Sequence, residues 1–201
     1  MKFPGYVTFS HAILLILNIL TDLISVGHAQ MIVRERFNEE EIDCPSPTDP
    51  TVITARELSI PWGDPFRAFK TTPKGLVVAP SSIPKAGYGM FSENFIKRFT
   101  WLGEYEGEIV PMDREDDISW YAWTIHRSGD DSYFVDARNI PTSSSLRWIN
   151  CAHNTTAQNV NVHECRGRVY YMTCRDIWPG QELLVYYGDD YAETLGLKNK
   201  S

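Results

Sequence analysis

A mostly β domain of small sheets is the fold class this sequence predicts, and three observations predict it. Short apolar runs rich in Val, Ile, Tyr and Trp recur through residues 76–187, and Gly, Pro, Asp and Asn interrupt them about every ten residues. Helix signals are few. The chain has 201 residues, 43% of them hydrophobic and 22% charged, which supports one sizeable core and excludes a fibrous or wholly disordered chain. Its formal charge of -7 argues against a protein that grips nucleic acid nonspecifically through its phosphates.

The elements follow in chain order. After Lys2, an apolar run over 11–26 reaches Gly27-His28-Ala29. Residues 1–30 therefore read as a secretory signal, as an unrelated amino-terminal exon, or as a helix that stays buried or interfacial. Asn18 and Asp22 make the run a poor membrane span. Residues 31–65 are an acidic, Pro-rich arm or linker, with Glu39-Glu40-Glu41 followed by Pro45, Pro47, Pro50, Pro61 and Pro65, which remove backbone donors and favour extended chain. The folded domain is expected over 66–197. Strands are expected at Leu76-Val77-Val78, Met90-Phe91, 101–105, Glu108-Ile109-Val110, 120–125, Tyr133-Phe134-Val135, Val160-Asn161-Val162, 169–172 and 182–187. Helices are expected at 143–150 and 190–195, the second stopped by Gly196.

Cys44, Cys151, Cys165 and Cys174 allow either four reduced thiols or two disulfides in one of three pairings. Asn154-Thr155-Thr156 and Asn199-Lys200-Ser201 are glycosylation triplets that matter only on a secretory path. No metal is expected, because Cys151-x-His153 and His163-x-Cys165 lack the Cys-x-x-Cys spacing of a tight knuckle. A Gly-x-Ser-x-Gly elbow is also missing, and with it the usual sign of a serine hydrolase.

Three features could carry chemistry. Lys85-Ala86-Gly87-Tyr88-Gly89-Met90-Phe91 is either a plain β-turn or a place where backbone approaches a ligand closely. Tyr105, Tyr121, Tyr133, Tyr170, Tyr171, Tyr186, Tyr187 and Tyr191 are strand aromatics that as a set could also wall a channel for a cation. Arg147-Trp148-Ile149-Asn150-Cys151-Ala152-His153-Asn154 is dense in polar groups whose burial needs partners.

In order, these features resemble a SET domain, specifically the PR/SET variety of the PR-domain family of histone-lysine methyltransferases. The resemblance runs over roughly 75–197 in six blocks. They are Ala86-Gly87-Tyr88-Gly89-Met90-Phe91, Gly103-Glu104-Tyr105-Glu106-Gly107-Glu108-Ile109, Tyr121-Ala122-Trp123, Tyr133-Phe134-Val135-Asp136-Ala137, Arg147-Trp148-Ile149-Asn150-Cys151-Ala152 and the long run 170–191. It implies small β-sheets, short helices and a carboxy-terminal segment threaded beneath a loop as a pseudoknot, with Asn150 and Cys151 beside Tyr187.

The resemblance also implies S-adenosyl-L-methionine as cofactor, held by Ala86, Gly87, Tyr88, Tyr121, Asn150 and Cys151. Tyr187 matches the catalytic tyrosine, and Tyr105 and Tyr171 match tyrosines lining the lysine channel. The substrate would lie extended along Ser119, Trp120, Tyr121, Ala122, Trp123 and Thr124 and end at Tyr187. A histone H3 tail is the implied partner, with lysine 4 foremost, and the nucleus is the implied compartment, in conflict with the signal-like leader. Neither direct nucleic-acid contact nor a membrane span is expected of this chain. Ordinary SET enzymes carry Asn-His-Ser-Cys where Asn150-Cys151-Ala152-His153 stands here. That departure supports a second reading, a PR module that binds protein partners without catalysis, and a third takes the leader literally as that of a secreted, disulfide-bonded protein.

Overall fold

The computed structural model describes residues 44–45, 60–127 and 131–188. The leader at 1–30, most of the arm at 31–65 and the helix expected at 190–195 lie outside them. The first described element is a single helical turn, α1 (Arg67–Lys70), tied at its start by Asp64, which accepts from the Phe66 N–H at 2.8 Å and pairs with Lys70 at 2.7 Å. β1 (Leu76–Pro80) and β2 (Tyr88–Ser92) form an antiparallel two-stranded sheet.

A three-stranded sheet follows. β4 (Glu108–Pro111) and β5 (Ala122–Ile125) flank β6 (Tyr133–Asp136), in the order β4-β6-β5. The largest sheet has the order β3-β9-β8-β10-β7, combining β3 (Trp101–Glu104), β9 (Arg168–Thr173), β8 (Val160–Cys165), β10 (Leu184–Val185) and β7 (Asn150–Cys151). The only described α-helix is α1; the other helical pieces are 3-10 turns at Met112–Asp117, Ile140–Thr142 and Ser145–Trp148. The mostly β expectation therefore holds. No helix among the described residues is long and apolar enough to cross a membrane.

The three sheets share one core. Leu76, Met90, Leu102, Trp123, Ile125, Leu146, Ile149, Tyr171, Ile177 and Leu183 are buried in it, and each large side chain contributes about 1.5–3 kcal/mol on leaving water. A smaller cluster of Ile118, Ala122 and Phe134 sits against Val110.

β10 is hydrogen-bonded in parallel to both β7 and β8, pairing Leu184 with Asn150, and Val185 with Cys151 and Val160. The loop joining β7 to β8 straddles it. At one end of that loop Ala152 N–H donates to the Val185 carbonyl at 2.8 Å; at the other, Asn159 exchanges backbone and side-chain bonds with Leu184 and donates to the Glu182 carbonyl. This is the threaded arrangement that the resemblance implied.

Three local expectations are corrected. The helix expected over 143–150 is a 3-10 turn at Ser145–Trp148 that gives way to β7. Parallel pairing with β10 claims Asn150 and Cys151, and Trp148 Nε1 donates to the Ala68 carbonyl at 3.3 Å, so tertiary bonds outweigh helix propensity. The strand expected at 120–125 starts only at Ala122, because Ser119 turns to donate both N–H and Oγ to Asp136. The strand expected at 182–187 is limited to Leu184–Val185. Neither arrangement of the cysteines is adopted in full: Cys44 and Cys165 are disulfide-bonded across 121 residues with Cα atoms 5.7 Å apart, while Cys151 and Cys174 are free.

Candidate active site

Four aromatic side chains meet where the sheets join. Gly103, at φ +125°, accompanies a β-bulge in β3, after which the Tyr105 N–H donates to the Val169 carbonyl at 2.8 Å and the ring enters the core. Tyr171 comes from β9, Trp123 from β5, and Tyr187 from the segment just beyond β10. Tyr105 and Tyr171 stack at 5.4 Å. Trp123 stands edge-on to Tyr105, Tyr171 and Tyr187 with centroids 6.4, 6.2 and 5.1 Å away, geometries that aromatic quadrupoles favour.

The polar tips are also fixed. Trp123 Nε1 donates to Tyr171 Oη at 2.8 Å, Tyr105 donates to the Tyr121 carbonyl at 2.9 Å, and Tyr187 donates to the Ile149 carbonyl at 3.1 Å. Burial, and then the neighbouring Tyr171, hold the Tyr105 phenol well above its ordinary range. Tyr105 therefore stays neutral at physiological pH and cannot act as a base there.

On the other side of Tyr187 lie the residues that resemble a cofactor site. β7 carries Asn150 and Cys151; burial pushes the Cys151 thiol up to about 11, partly offset by a hydrogen bond with the Tyr187 backbone. A thiol so placed is no nucleophile at neutral pH. Asn150 Nδ2 donates to the Tyr88 carbonyl at 2.9 Å, which joins β7 to the turn bearing Ala86 and Gly87. Gly87 has φ +75° and open space where a Cβ would stand. That positive φ explains the glycine, and the opening leaves its backbone approachable.

Tyr88 and Tyr121 are both partly exposed, and a cation–π stack connects them. The Arg147 guanidinium lies 4.2 Å from the ring centroids of both Tyr121 and Trp148, and Trp148 meets Tyr88 edge-on at 5.5 Å. Among the described residues buried Arg147 has no carboxylate partner and instead donates to the carbonyls of Ala137 and Arg138.

Of the expected site residues, Ala86, Gly87, Tyr88, Asn150, Cys151 and Tyr187 are thus linked on one side, with Tyr105 and Tyr171 behind them. Tyr121 bridges both groups, through its carbonyl to Tyr105 and its ring to Arg147. Ser119, Trp120 and Tyr121 form a turn, and Ala122, Trp123 and Thr124 form the start of β5, whose outer edge pairs with no described strand. Sequence reasoning missed the central position of Trp123 and the parts played by Arg147 and Trp148, although both lie in the stretch 147–154 that stood out as dense in polar groups.

The family described as PR domain zinc finger protein 2, PR domain, matches residues 76–198. Among curated relatives, the human histone-lysine N-methyltransferase PRDM7 is 33% identical over 157 residues, covering 78% of this chain and 31% of that protein. The histone-lysine N-methyltransferase set-17 of Caenorhabditis elegans is 32% identical over 122 residues, 61% of this chain and 44% of that protein. The chain thus spans less than half the length of either relative. Among solved structures, the methyltransferase domain of human PR domain-containing protein 2 superposes with a TM-score of 0.54 at 25% identity, covering 61% of this chain and 84% of that one. The SET domain of RIZ1 tumor suppressor (PRDM2) gives 0.53 at 24% identity, over 79% and 93%.

Proposed function

The chain belongs to the PR-domain family, and from that premise we propose that it is a protein-lysine N-methyltransferase acting on a histone, with the H3 tail as substrate and lysine 4 as the leading target. The observation that carries this reading is the closed group of Tyr105, Trp123, Tyr171 and Tyr187 beside Asn150 and Cys151. The names of the curated relatives support the reaction class. We assign this activity to residues 66–197, and the names of the histone methyltransferase relatives support a nuclear role.

S-adenosyl-L-methionine suits the residues present. Asn150 Oδ1 accepts no hydrogen bond among the described residues, Gly87 has open space beside it, and the Tyr88 and Tyr121 faces are partly exposed. Ala86, Gly87, Tyr88, Tyr121, Asn150 and Cys151 would hold it. When bound, it supplies an electrophilic methyl on a positively charged sulfur. The chain's own task is then alignment, since in-line displacement demands a fixed approach of nucleophile to carbon.

A lysine amine is protonated at neutral pH, with an ordinary pKa of about 10.4, and must shed that proton before it can attack. Desolvation between aromatic walls favours the neutral amine. Tyr187, its hydroxyl proton directed to the Ile149 carbonyl, turns its oxygen to the amine as an acceptor and stabilises the positive charge that develops on nitrogen. The peptide backbone adds to the edge of β5 that pairs with no described strand, at Ala122, Trp123 and Thr124, with Ser119, Trp120 and Tyr121 at the entrance.

The test is a labelled methyl-transfer assay on recombinant H3 and a histone panel, with Tyr187→Phe as control. Label that falls about 100-fold or more in the variant, with an unchanged fold by circular dichroism, supports the reading. No label together with no affinity for the methyl donor replaces it with a partner-binding PR module.

A further inference from the structure

Glu182 is 8% exposed and is joined to β2 by an antiparallel bridge to Phe91. No cation stands beside its carboxylate among the described residues; hydrogen-bond donors do. Oε1 accepts from Ser81 Oγ at 2.7 Å and from Asn150 Nδ2 at 3.1 Å. Oε2 accepts from the Ser82 N–H at 2.8 Å and from Ser82 Oγ. A buried carboxylate stripped of such donors is costly, so the segments that supply them are held to it. β2 passes so close that a Cβ on Gly89 would overlap Oε1.

The same carboxylate orients Asn150. Besides Glu182, Asn150 Nδ2 contacts Ser81 Oγ at 3.1 Å and the Tyr88 carbonyl at 2.9 Å. Turned over, the amide would press Oδ1 against the Glu182 carboxylate and the Tyr88 carbonyl, both acceptors. The acceptor oxygens of Glu182 and Tyr88 therefore keep the nitrogen inward and leave Oδ1 to accept from a ligand.

We propose that Glu182 is a positioning residue for the methyl-donor site. Its carboxylate fixes the segment 81–88 and the Asn150 amide in one arrangement, so that Gly87, Tyr88 and Asn150 Oδ1 face the ligand together. The inference rests on the reading of Ala86, Gly87, Tyr88 and Asn150 as holding S-adenosylmethionine, and adds a residue outside that set.

Calorimetric titration with S-adenosylmethionine, which needs no turnover, tests it alongside steady-state kinetics on an H3 peptide. Glu182→Gln raises the Kd about tenfold, because one donor now faces other donors, and shifts the peptide KM less than about twofold. Asn150→Asp sets two carboxylates together and weakens binding further. Adding Glu182→Gln to Asn150→Asp recovers about fivefold or more of that loss, since the new amide can donate to the new carboxylate, a rescue that general loosening of the fold does not produce. A wild-type protein that binds no methyl donor overturns the site reading and this inference together. Wild-type binding with Glu182→Gln within about twofold of it overturns the inference alone. Should Glu182→Gln not fold, Ser81→Ala reads the same contact: a Kd raised about threefold supports the role and an unchanged Kd overturns it.

Discussion

Trp123 reaches the tyrosine cluster from β5 and spends its indole N–H on Tyr171 Oη. Trp123→Phe would keep an aromatic edge but leave that buried hydroxyl without its donor, so an unfolding free energy lowered by about 1–3 kcal/mol is expected in urea denaturation. Gly89→Ala should cost a similar amount, about 1–3 kcal/mol, because the added methyl displaces a carboxylate held by four donors. His163 offers a pH test. Among the described residues its Nε2 is buried without a hydrogen-bond partner, 5.3 Å separates its ring centroid from that of Trp101, and burial lowers its pKa from 6.5. The unfolded chain then binds the proton more readily than the native one. This contribution to stability is fully present above the unfolded pKa and is lost as pH falls below it through the folded value. His163→Leu should flatten the decline of melting temperature below pH 6.5. At this scale the tyrosines could be read in the sequence because they sit in ordered blocks. Glu182 could not, because nothing local distinguishes a buried acid from a solvated one until Ser81, Ser82 and Asn150 arrive from 101, 100 and 32 residues away.

Most strands could be seen in the sequence because apolar runs and turn residues are local signals, and β8 with β9 is the clearest case. Their connection is Arg166-Gly167 with φ of 52° and 74°, and the Tyr133 hydroxyl donates to the Gly167 carbonyl. Gly167→Ala meets both a positive φ and the Arg127 guanidinium, and should destabilise the domain by about 1–2 kcal/mol in chemical denaturation. β7 was hidden for the opposite reason. Two residues in Ile149-Asn150-Cys151-Ala152 have no period of their own, and they become a strand only because β10 lies beside them. The turn at 119–121 was hidden too, since its cause is the buried Asp136 on the neighbouring strand.

Across the whole chain, Cys44 is joined to Cys165, so the Pro-rich arm is fastened to the far end of the β8–β9 hairpin. Thiol titration of the unreduced, denatured protein should give two groups, Cys151 and Cys174, and four would refute the bond. Chain-entropy reasoning for a closure of 121 residues gives a stabilisation of about 4–5 kcal/mol, so Cys44→Ser should shift the urea midpoint downward under oxidising conditions. Four cysteines alone left this pairing open, because only the fold brings residues so distant in sequence together. The insertion of β10 between β7 and β8 has a further consequence for synthesis. The two-strand sheet, the three-strand sheet and the β8–β9 hairpin all pair residues before 174, so they have their own strands before residues 184–187 are made. β7 then has no neighbour, the slot between it and β8 stands empty, and Tyr187 has not reached Ile149. Under the proposed function, a polypeptide ended before residue 184 lacks both β10 and Tyr187, and is expected to carry most of the strands and no methyl-transfer activity.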